Sequence, residues 1–349
     1  MAYPRYAPNT ASERPRAETG PVYAALDLGT NNCRLLIARP VEEMGRKNNG
    51  IRALDSFSRI VRLGEDVGVG GVLTEAAQDR TIKALQICKR KIERFDLTAG
   101  RYVTTEACRQ AKNSRDFLAR VEAEVGLELE VVSTEEEAIL AFRGCANLLM
   151  PAPKYALVFD IGGGSTEVLW VETDHSAQRG ILPEHKVLDW FSMDRGVMNL
   201  LDGFGDRVAA EGYYEELVGQ TMRRLGDFNS RNGIADAVAR GEVQMLSTSG
   251  TVTTLAAIYL DLQRYDRSRI DGLELSQKEL AAAVKKVREM RVSERFMHPC
   301  IGADRSDYIV SGCALFEAVV RLWPVSSMTI ADRGVREGIV LSLMAQTAK

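Results

Sequence analysis

The sequence predicts an α/β protein of two related domains. Each is a mixed sheet flanked by helices, and the functional site lies in the cleft between them. Three observations carry this expectation. A length of 349 residues suits two domains of ordinary size better than one. Apolar strand-like runs alternate with amphipathic helical stretches. One motif also occurs twice, about a domain apart: VYAALDLGTNNCRLLIAR at Val22–Arg39 and YALVFDIGGGSTEVLWVE at Tyr155–Glu172. Each copy is an apolar run, an Asp-x-Gly turn and a second apolar run, which reads as a β-hairpin.

The elements follow in order. Met1–Gly20 carries prolines, arginines and small polar residues with no apolar core, so it reads as a disordered tail and not a secretory signal. After the first hairpin, Leu73–Phe95 is predicted as a helix: Ile82, Leu85, Ile92 and Phe95 make one stripe, and Thr74 suits the N-cap. Arg101–Thr105 reads as a short strand, Glu106–Ala111 as a loop or helix start, Ser114–Glu124 as an amphipathic helix and Leu127–Val132 as a strand. Thr134–Leu149 is helical, capped by Ser133 or Thr134. Pro151 and Pro153 then break the chain and set the domains at 21–150 and 151–349, with the last helix allowed to pack back on the first domain. Beyond the second hairpin come a helix at Glu211–Asn229, a strand at Val243–Ser247 and a helix at Thr251–Leu260. Ser276–Met290 is a helix opened by a capping pair, Ser276 with Glu279. Asp307–Leu322 stops before Pro324, Met328–Ala331 is a strand, and Gly334–Ala345 is the final helix.

Composition narrows the function classes. A net charge of −3 gives no global basic surface, so nucleic acid is not the expected partner and a polyanion would need a local basic groove. No apolar run approaches the ~20 residues of a membrane helix. The six cysteines show no Cys-x-x-Cys pair, which points to reduced thiols in a cytoplasm. The three histidines, His175, His185 and His298, have no metal-ligand spacing.

The glycine run Gly162-Gly163-Gly164 is the most distinctive feature. A dinucleotide fingerprint needs a helix after its glycines, but VLWV follows here and reads as a strand. A Walker loop needs Gly-Lys-Ser/Thr, and no lysine follows. A plain hairpin turn needs one or two residues with positive φ, not three glycines. The surplus implies close approach of a ligand to the backbone, and successive amides in such a turn form an anion-binding concavity. Both copies of the motif put an aspartate at the strand end, Asp27 and Asp160. An acid beside an anion site implies a bridging cation, for which Mg²⁺ is the usual choice. Asp160, with Asp27 and Glu167, is the expected metal anchor; Glu167 also reads as an exposed strand carboxylate.

These hairpins resemble those of the sugar kinase, actin and heat-shock chaperone superfamily. Within it the chain resembles the exopolyphosphatase / guanosine-pentaphosphate phosphatase family. DLGTNNCRLLIA, RLGEDVGVGGVLTEAA, VTTEACRQAKNSRDFL, STEEEAILAFRG, VFDIGGGSTEVLW, LSTSGTVTTLAA, DRSDYIVSGCALFEAVV and ADRGVREGIVLSL carry the likeness from Val22 to about Leu343. The resemblance implies two actin-like domains and hydrolysis of a terminal phosphoanhydride. It implies Glu137 as the base that activates water, although Thr134 with Glu137 reads equally as a capping box from the residues alone. It implies phosphate cradles at Gly29, Thr30 and Asn31 and at Gly162, Gly163, Gly164 and Ser165. Arg109 matches a phosphate-contacting arginine of the family and otherwise reads as a surface helix residue. Gly250 and Thr251, at a strand-to-helix junction, line the cleft in this picture. Arg195, Arg305, Arg333 and Arg336 are candidates for a basic track, with Asp304-Arg305 and Asp332-Arg333 as possible local pairs. The family further implies a homodimer and a cytoplasmic enzyme acting on inorganic polyphosphate or on guanosine pentaphosphate. The chain resembles the short, two-domain type, for which weaker processivity and shorter substrates are expected. A non-catalytic nucleotide-binding sensor on the same frame is the reading from another class.

Overall fold

The computed structural model describes residues 20–45, 48–174, 185–198, 200, 211–303 and 305–347. The expected N-terminal tail up to residue 19, His175 and Asp304 lie outside the described residues.

Two mixed sheets form the frame. The first contains β1 (Tyr23–Leu28), β2 (Asn32–Gly45), β3 (Asn48–Ile60), β4 (Ala99–Thr104) and β5 (Glu130–Val131), in the order β3-β2-β1-β4-β5. The second contains β6 (Tyr155–Ile161), β7 (Thr166–Glu172), β8 (Lys186–Met193), β9 (Val243–Ser247), β10 (Leu273–Ser276) and β11 (Ser327–Ile330), in the order β10-β11-β9-β6-β7-β8. The same plan underlies both. An antiparallel three-strand meander, β1-β2-β3 or β6-β7-β8, is extended by parallel strands on the far side of its first strand, and the second sheet adds β10 antiparallel to β11 at its edge. The duplicated sequence motif is the first hairpin of each meander. Helices cover the sheets, so β1, β6 and β7 are almost wholly buried and read as unbroken apolar runs.

Three strands escape the sequence reading: β3, β8 and β10. β3 and β8 are sheet edges whose residues are largely half-buried or exposed, so they lack the apolar density that marks their neighbours. The predicted strand at Leu127–Val132 shrinks to Glu130–Val131. Leu127 and Leu129 are buried in the core of the first domain, but only Glu130 and Val131 pair with β4.

Helices α1 (Val67–Gly70), α2 (Glu75–Ile92), α3 (Glu106–Gln110) and α4 (Ser114–Val125) belong to the first half, and Thr74 caps α2 as expected, accepting from the Ala77 N–H at 3.2 Å. α5 (Thr134–Cys145) is shorter than predicted and passes into a 3₁₀ turn at Ala146–Leu148. The second half holds α6 (Glu211–Asn232), α7 (Ile234–Ala239), α8 (Gly250–Tyr259), α9 (Arg267–Ile270), α10 (Gln277–Glu289), α11 (Val292–Met297), α12 (Ile309–Leu322) and α13 (Val335–Thr347). α10 opens with the Ser276–Glu279 capping box.

Two helices tie the halves together. α5 lays Ala138, Phe142 and Cys145 against Ala156, Val158 and Leu169 of the second sheet. Its other side places Leu140 and Ala141 beside Ile339, Val340 and Met344 of α13, which in turn covers Tyr23, Ala25 and Leu36 of the first sheet. The C-terminal helix therefore packs on the N-terminal sheet. α5 and α13 cross at glycines: a Cβ on Gly144 would overlap the Gly334 carbonyl, and one on Gly338 would overlap the Leu140 carbonyl.

Candidate active site

The two hairpin turns face each other, and their geometry matches. Gly29 N–H donates to the Asn32 carbonyl and Gly162 N–H to the Ser165 carbonyl, both at 2.9 Å. The N–H groups of Thr30, Asn31 and Gly163 donate to no described residue, which leaves them as anion donors on both sides of the cleft. None of Gly162, Gly163 and Gly164 has positive φ. What requires glycine here is proximity. A Cβ on Gly164 would stand 2.9 Å from Thr30 Oγ1, and one on Gly163 would stand 3.4 Å from the Asn31 Cβ. Gly196 presses on the Gly163 backbone from behind. The group that approaches the glycine run is therefore the opposite turn. Asn31 completes the bridge, its Nδ2 donating to the Tyr308 hydroxyl at 3.0 Å.

Behind this contact lies a cavity of about 140 Å³, lined by Asp27, Arg34, Glu106, Glu137, Asp160, both turns, Thr248, Gly250, Thr251, Arg305 and Tyr308 among others. That is smaller than the ~300–1,000 Å³ of pockets that swallow a drug-sized molecule, and it suits phosphoryl groups better than a whole nucleotide.

Glu137 enters from the first turn of α5. Ser133 is the N-cap, accepting from the Glu136 N–H at 3.1 Å, so Glu137 is not the capping partner. Glu136 turns outward to Arg101 at 2.6 Å. The Glu137 carboxylate meets Arg109, whose Nη2 donates to it at 2.8 Å. Arg109 is further fixed by Glu106 at 2.7 Å and by the Val132 carbonyl, to which it donates at 2.9 Å. Here the guanidinium orients a carboxylate. Burial pushes the Glu137 carboxyl up to about 7, against the pull of Arg109, with the nearby Asp27 and Asp160 adding to the rise. A carboxylate poised near neutrality is suited to proton transfer.

Burial also raises Asp27 and Asp160, and the charge of Arg34 opposes the rise in both. Glu167 lies behind Asp160 in a smaller cavity shared with Glu137, and its Oε1 accepts from Ser192 at 3.0 Å. Burial holds its carboxyl well above the usual range, with Glu137 and Asp160 reinforcing the effect. It is buried, not an exposed strand carboxylate. Among the described residues no three His, Cys, Asp or Glu side chains come together as a metal cage.

The arginine candidates separate. Arg305 lines the cleft, donating to Thr254 Oγ1 at 2.7 Å beside Gly250 and Thr251 at the start of α8. Arg195 offers its carbonyl to Thr166 Oγ1 at 2.7 Å and is absent from the cleft lining. Arg333 is no part of a basic track: it is buried and locked to Asp271 at 2.6 Å and Asn147 at 2.9 Å. The expected local pair of Asp332 with Arg333 is likewise replaced, since Asp332 accepts from Tyr265 at 2.9 Å. Arg336 is half-buried, 3.9 Å from the Glu337 carboxylate, and its charge acts on Asp27.

With this geometry in view, the relatives can be compared. The model of the Ppx/GppA phosphatase family matches residues 41–347. The chain belongs to the Ppx/GppA phosphatase family. Members of this family are phosphatases that hydrolyse phosphoanhydride bonds. A crystal structure of the Aquifex aeolicus Ppx/GppA family member superposes with a TM-score of 0.74 at 25% identity, covering 94% of this chain and 99% of that one. An exopolyphosphatase-like protein superposes at 0.80 with 26% identity, again over 94% and 99%. The bifunctional 3-dehydroquinate synthase/phosphatase of Fusobacterium nucleatum is 25% identical over 91% of this chain, which spans only 46% of that protein. The two-sheet architecture is thus the fold of Ppx/GppA phosphatases.

Sequence reasoning missed several residues of this Ppx/GppA cleft. Arg34 lines it, and so do Glu106, Thr248 and Tyr308. Thr248 sits just outside the strand that was read, where no periodicity marks it, and Tyr308 falls within the helix read at Asp307–Leu322 but forms the N-cap of the observed one. Arg34 did leave a signal: it stands as far after Asp27 as Glu167 stands after Asp160.

Proposed function

We propose that this protein is an exopolyphosphatase, releasing orthophosphate from the end of inorganic polyphosphate by attack of a water activated by Glu137. The observation that carries this reading is the Glu137 carboxylate, oriented by Arg109 and raised to about 7 in a cavity of phosphate-sized volume. The donor amides of Thr30, Asn31 and Gly163 would seat the terminal phosphoryl group between the jaws, and Glu137 would take the proton of the attacking water. Closure of the two turns would keep bulk water out of the line of attack.

The residues present fit Mg²⁺. Asp27 and Asp160 are hard oxygen donors on the cavity wall, and the buried Asn31 Oδ1 has no hydrogen-bond partner among the described residues. Asp160, with Asp27 or Glu167, would hold the ion. When bound it would offset the charge of the phosphoryl oxygens. No described helix is long and apolar enough to cross a membrane.

Orthophosphate release decides the reading, measured from polyphosphate and from guanosine pentaphosphate in parallel, with Glu137→Gln as control. Release from polyphosphate by the wild type alone is expected. Preference for guanosine pentaphosphate moves the substrate without moving the mechanism. Release from neither leaves the nucleotide-binding sensor.

A further inference from the structure

Directly after β3 the chain runs Val61-Arg62-Leu63-Gly64-Glu65-Asp66. Val61 and Leu63 are buried in the core of the first domain. The backbone around them is unusual. Arg62 and Asp66 have φ of 49° and 63°, two of the three non-glycine residues with positive φ among the described residues. The left-handed conformation is unfavourable for a long side chain, so other interactions must offset it.

Those interactions run to the first hairpin turn. The N–H groups of Val61 and Arg62 both donate to the Asn31 carbonyl, at 2.8 and 3.0 Å, and the Gly64 N–H donates to the Thr30 carbonyl at 2.9 Å. A trans peptide is planar, so its C=O and the N–H that follows point in opposite directions. Fixing the Thr30 carbonyl against Gly64 therefore fixes the Asn31 N–H on the opposite side, and that N–H is one of the donors of the cleft. Fixing the Asn31 carbonyl secures the next peptide plane in the same way. Gly64 can come this close because it has no side chain: a Cβ there would overlap the Thr30 methyl.

The loop is itself held by Arg80, from the second turn of α2. Its Nε donates to the Val61 carbonyl at 3.0 Å, and its Nη2 donates to the Arg62 carbonyl at 3.4 Å and pairs with Glu65 at 2.5 Å. Arg80 is absent from the cleft lining, so it reaches the site only through this backbone. We propose that Arg80 is a positioning residue for the phosphatase reaction: through the backbone of Val61–Gly64 it sets the direction of the Asn31 amide that receives a substrate phosphoryl group. The inference rests on the phosphatase reading and extends it to a residue outside the cleft. Backbone donors serve a reaction best when they are fixed before the substrate arrives. The competing role is scaffolding alone, in which Arg80 stabilises the contact of α2 with the loop and leaves the amide unaffected.

Amide ¹⁵N–¹H spectra of the full chain read the Asn31 N–H directly, and titration calorimetry with tripolyphosphate in EDTA gives affinity without turnover. Arg80→Met keeps the apolar stem and removes the donors. It is expected to move the ligand-free Asn31 resonance and to weaken tripolyphosphate binding roughly 2- to 10-fold, the worth of one net hydrogen bond. In turnover KM should rise by a similar factor, while the acid limb set by Glu137 stays in place. Arg80→Lys keeps a charge for Glu65 without the fork over two carbonyls, so it recovers only part of the loss. Gly64→Ala disturbs the same link at its other end. Thr30→Ser removes the methyl that the new Cβ would meet, so Thr30→Ser/Gly64→Ala should bind as Thr30→Ser does. Thermal melts report folding, and if Arg80→Met does not fold, Arg80→Lys carries the test. Wild-type affinity or an unmoved Asn31 resonance in the folded Arg80 variant overturns the proposal, as does a Gly64→Ala defect that persists in full without the Thr30 methyl. If the wild type releases phosphate normally while the Arg80 variant binds unchanged, the phosphatase reading survives this failure. If the wild type releases no phosphate from polyphosphate or guanosine pentaphosphate, both fall.

Discussion

Glu137 works as a base only when its carboxylate is ionised, and burial opposes that ionisation. Its pKa of about 7 therefore predicts that kcat/KM falls as pH drops through about 7, along a limb of slope one. A divalent cation at the neighbouring aspartates favours the charged form, so raising Mg²⁺ should move this limb to lower pH. A limb that ignores Mg²⁺ and lies near pH 4 would contradict the assignment. Glu137→Gln should lower kcat by about 10²–10⁴-fold, the usual contribution of a general base, with an unchanged melting temperature. Arg109 acts through Glu137, and its charge lowers the carboxyl it holds. Arg109→Gln should accordingly shift the acid limb to higher pH as well as lower kcat; a fall in rate with the limb in place would mean a merely structural role. In the sequence, Glu137 was one of three adjacent glutamates with a capping alternative. The choice among them depends on Ser133 taking the cap of α5 and on Arg101 taking Glu136, and Arg101 comes from another element, β4.

At the level of elements, the glycines do two kinds of work. In the second hairpin turn they allow the first turn to come within contact distance. Gly164→Ala should hold the jaws apart by the few tenths of an ångström that separate a contact from a clash. It is expected to reduce turnover by about tenfold while the urea midpoint stays near wild type, because the turn itself needs no positive φ. At the α5–α13 crossing, Gly338→Ala meets backbone that cannot yield. It should destabilise the fold by about 1–3 kcal/mol or more, read from urea denaturation. Most elements were legible. The capping pair Ser276–Glu279, the cap at Thr74 and the buried hairpins announced themselves because their signals are local. β3 and β8 were not, since an edge strand is defined by its neighbour and not by its own apolar content.

Across the whole molecule, the contacts between the turns and the Asn31–Tyr308 bond join the two jaws over the cavity. If the proposed substrate enters past these contacts they must part, and α5 and α13 are the elements that such a motion would pivot on. Small-angle scattering should therefore show a more extended ligand-free ensemble that contracts with a phosphate analogue and Mg²⁺. Identical profiles in the two states would count against a hinge. Tyr308→Phe removes the one hydrogen bond that the Asn31 side chain makes among the described residues, so it should raise KM with little change in the fold.

The sequence by itself determined the class of the fold, the duplication, the pairing of two Asp-x-Gly turns and the phosphate chemistry they suit, because strand patterning, caps and turns are properties of neighbouring residues. Only the tertiary structure decided which glutamate faces the cavity, that Arg109 holds it, that Arg333 is a buried strut, and that Arg34 stands open to the cleft. Those facts depend on which side chains meet across the two sheets. Charge pairing and burial are set by partners far apart in the chain, and no local pattern encodes them.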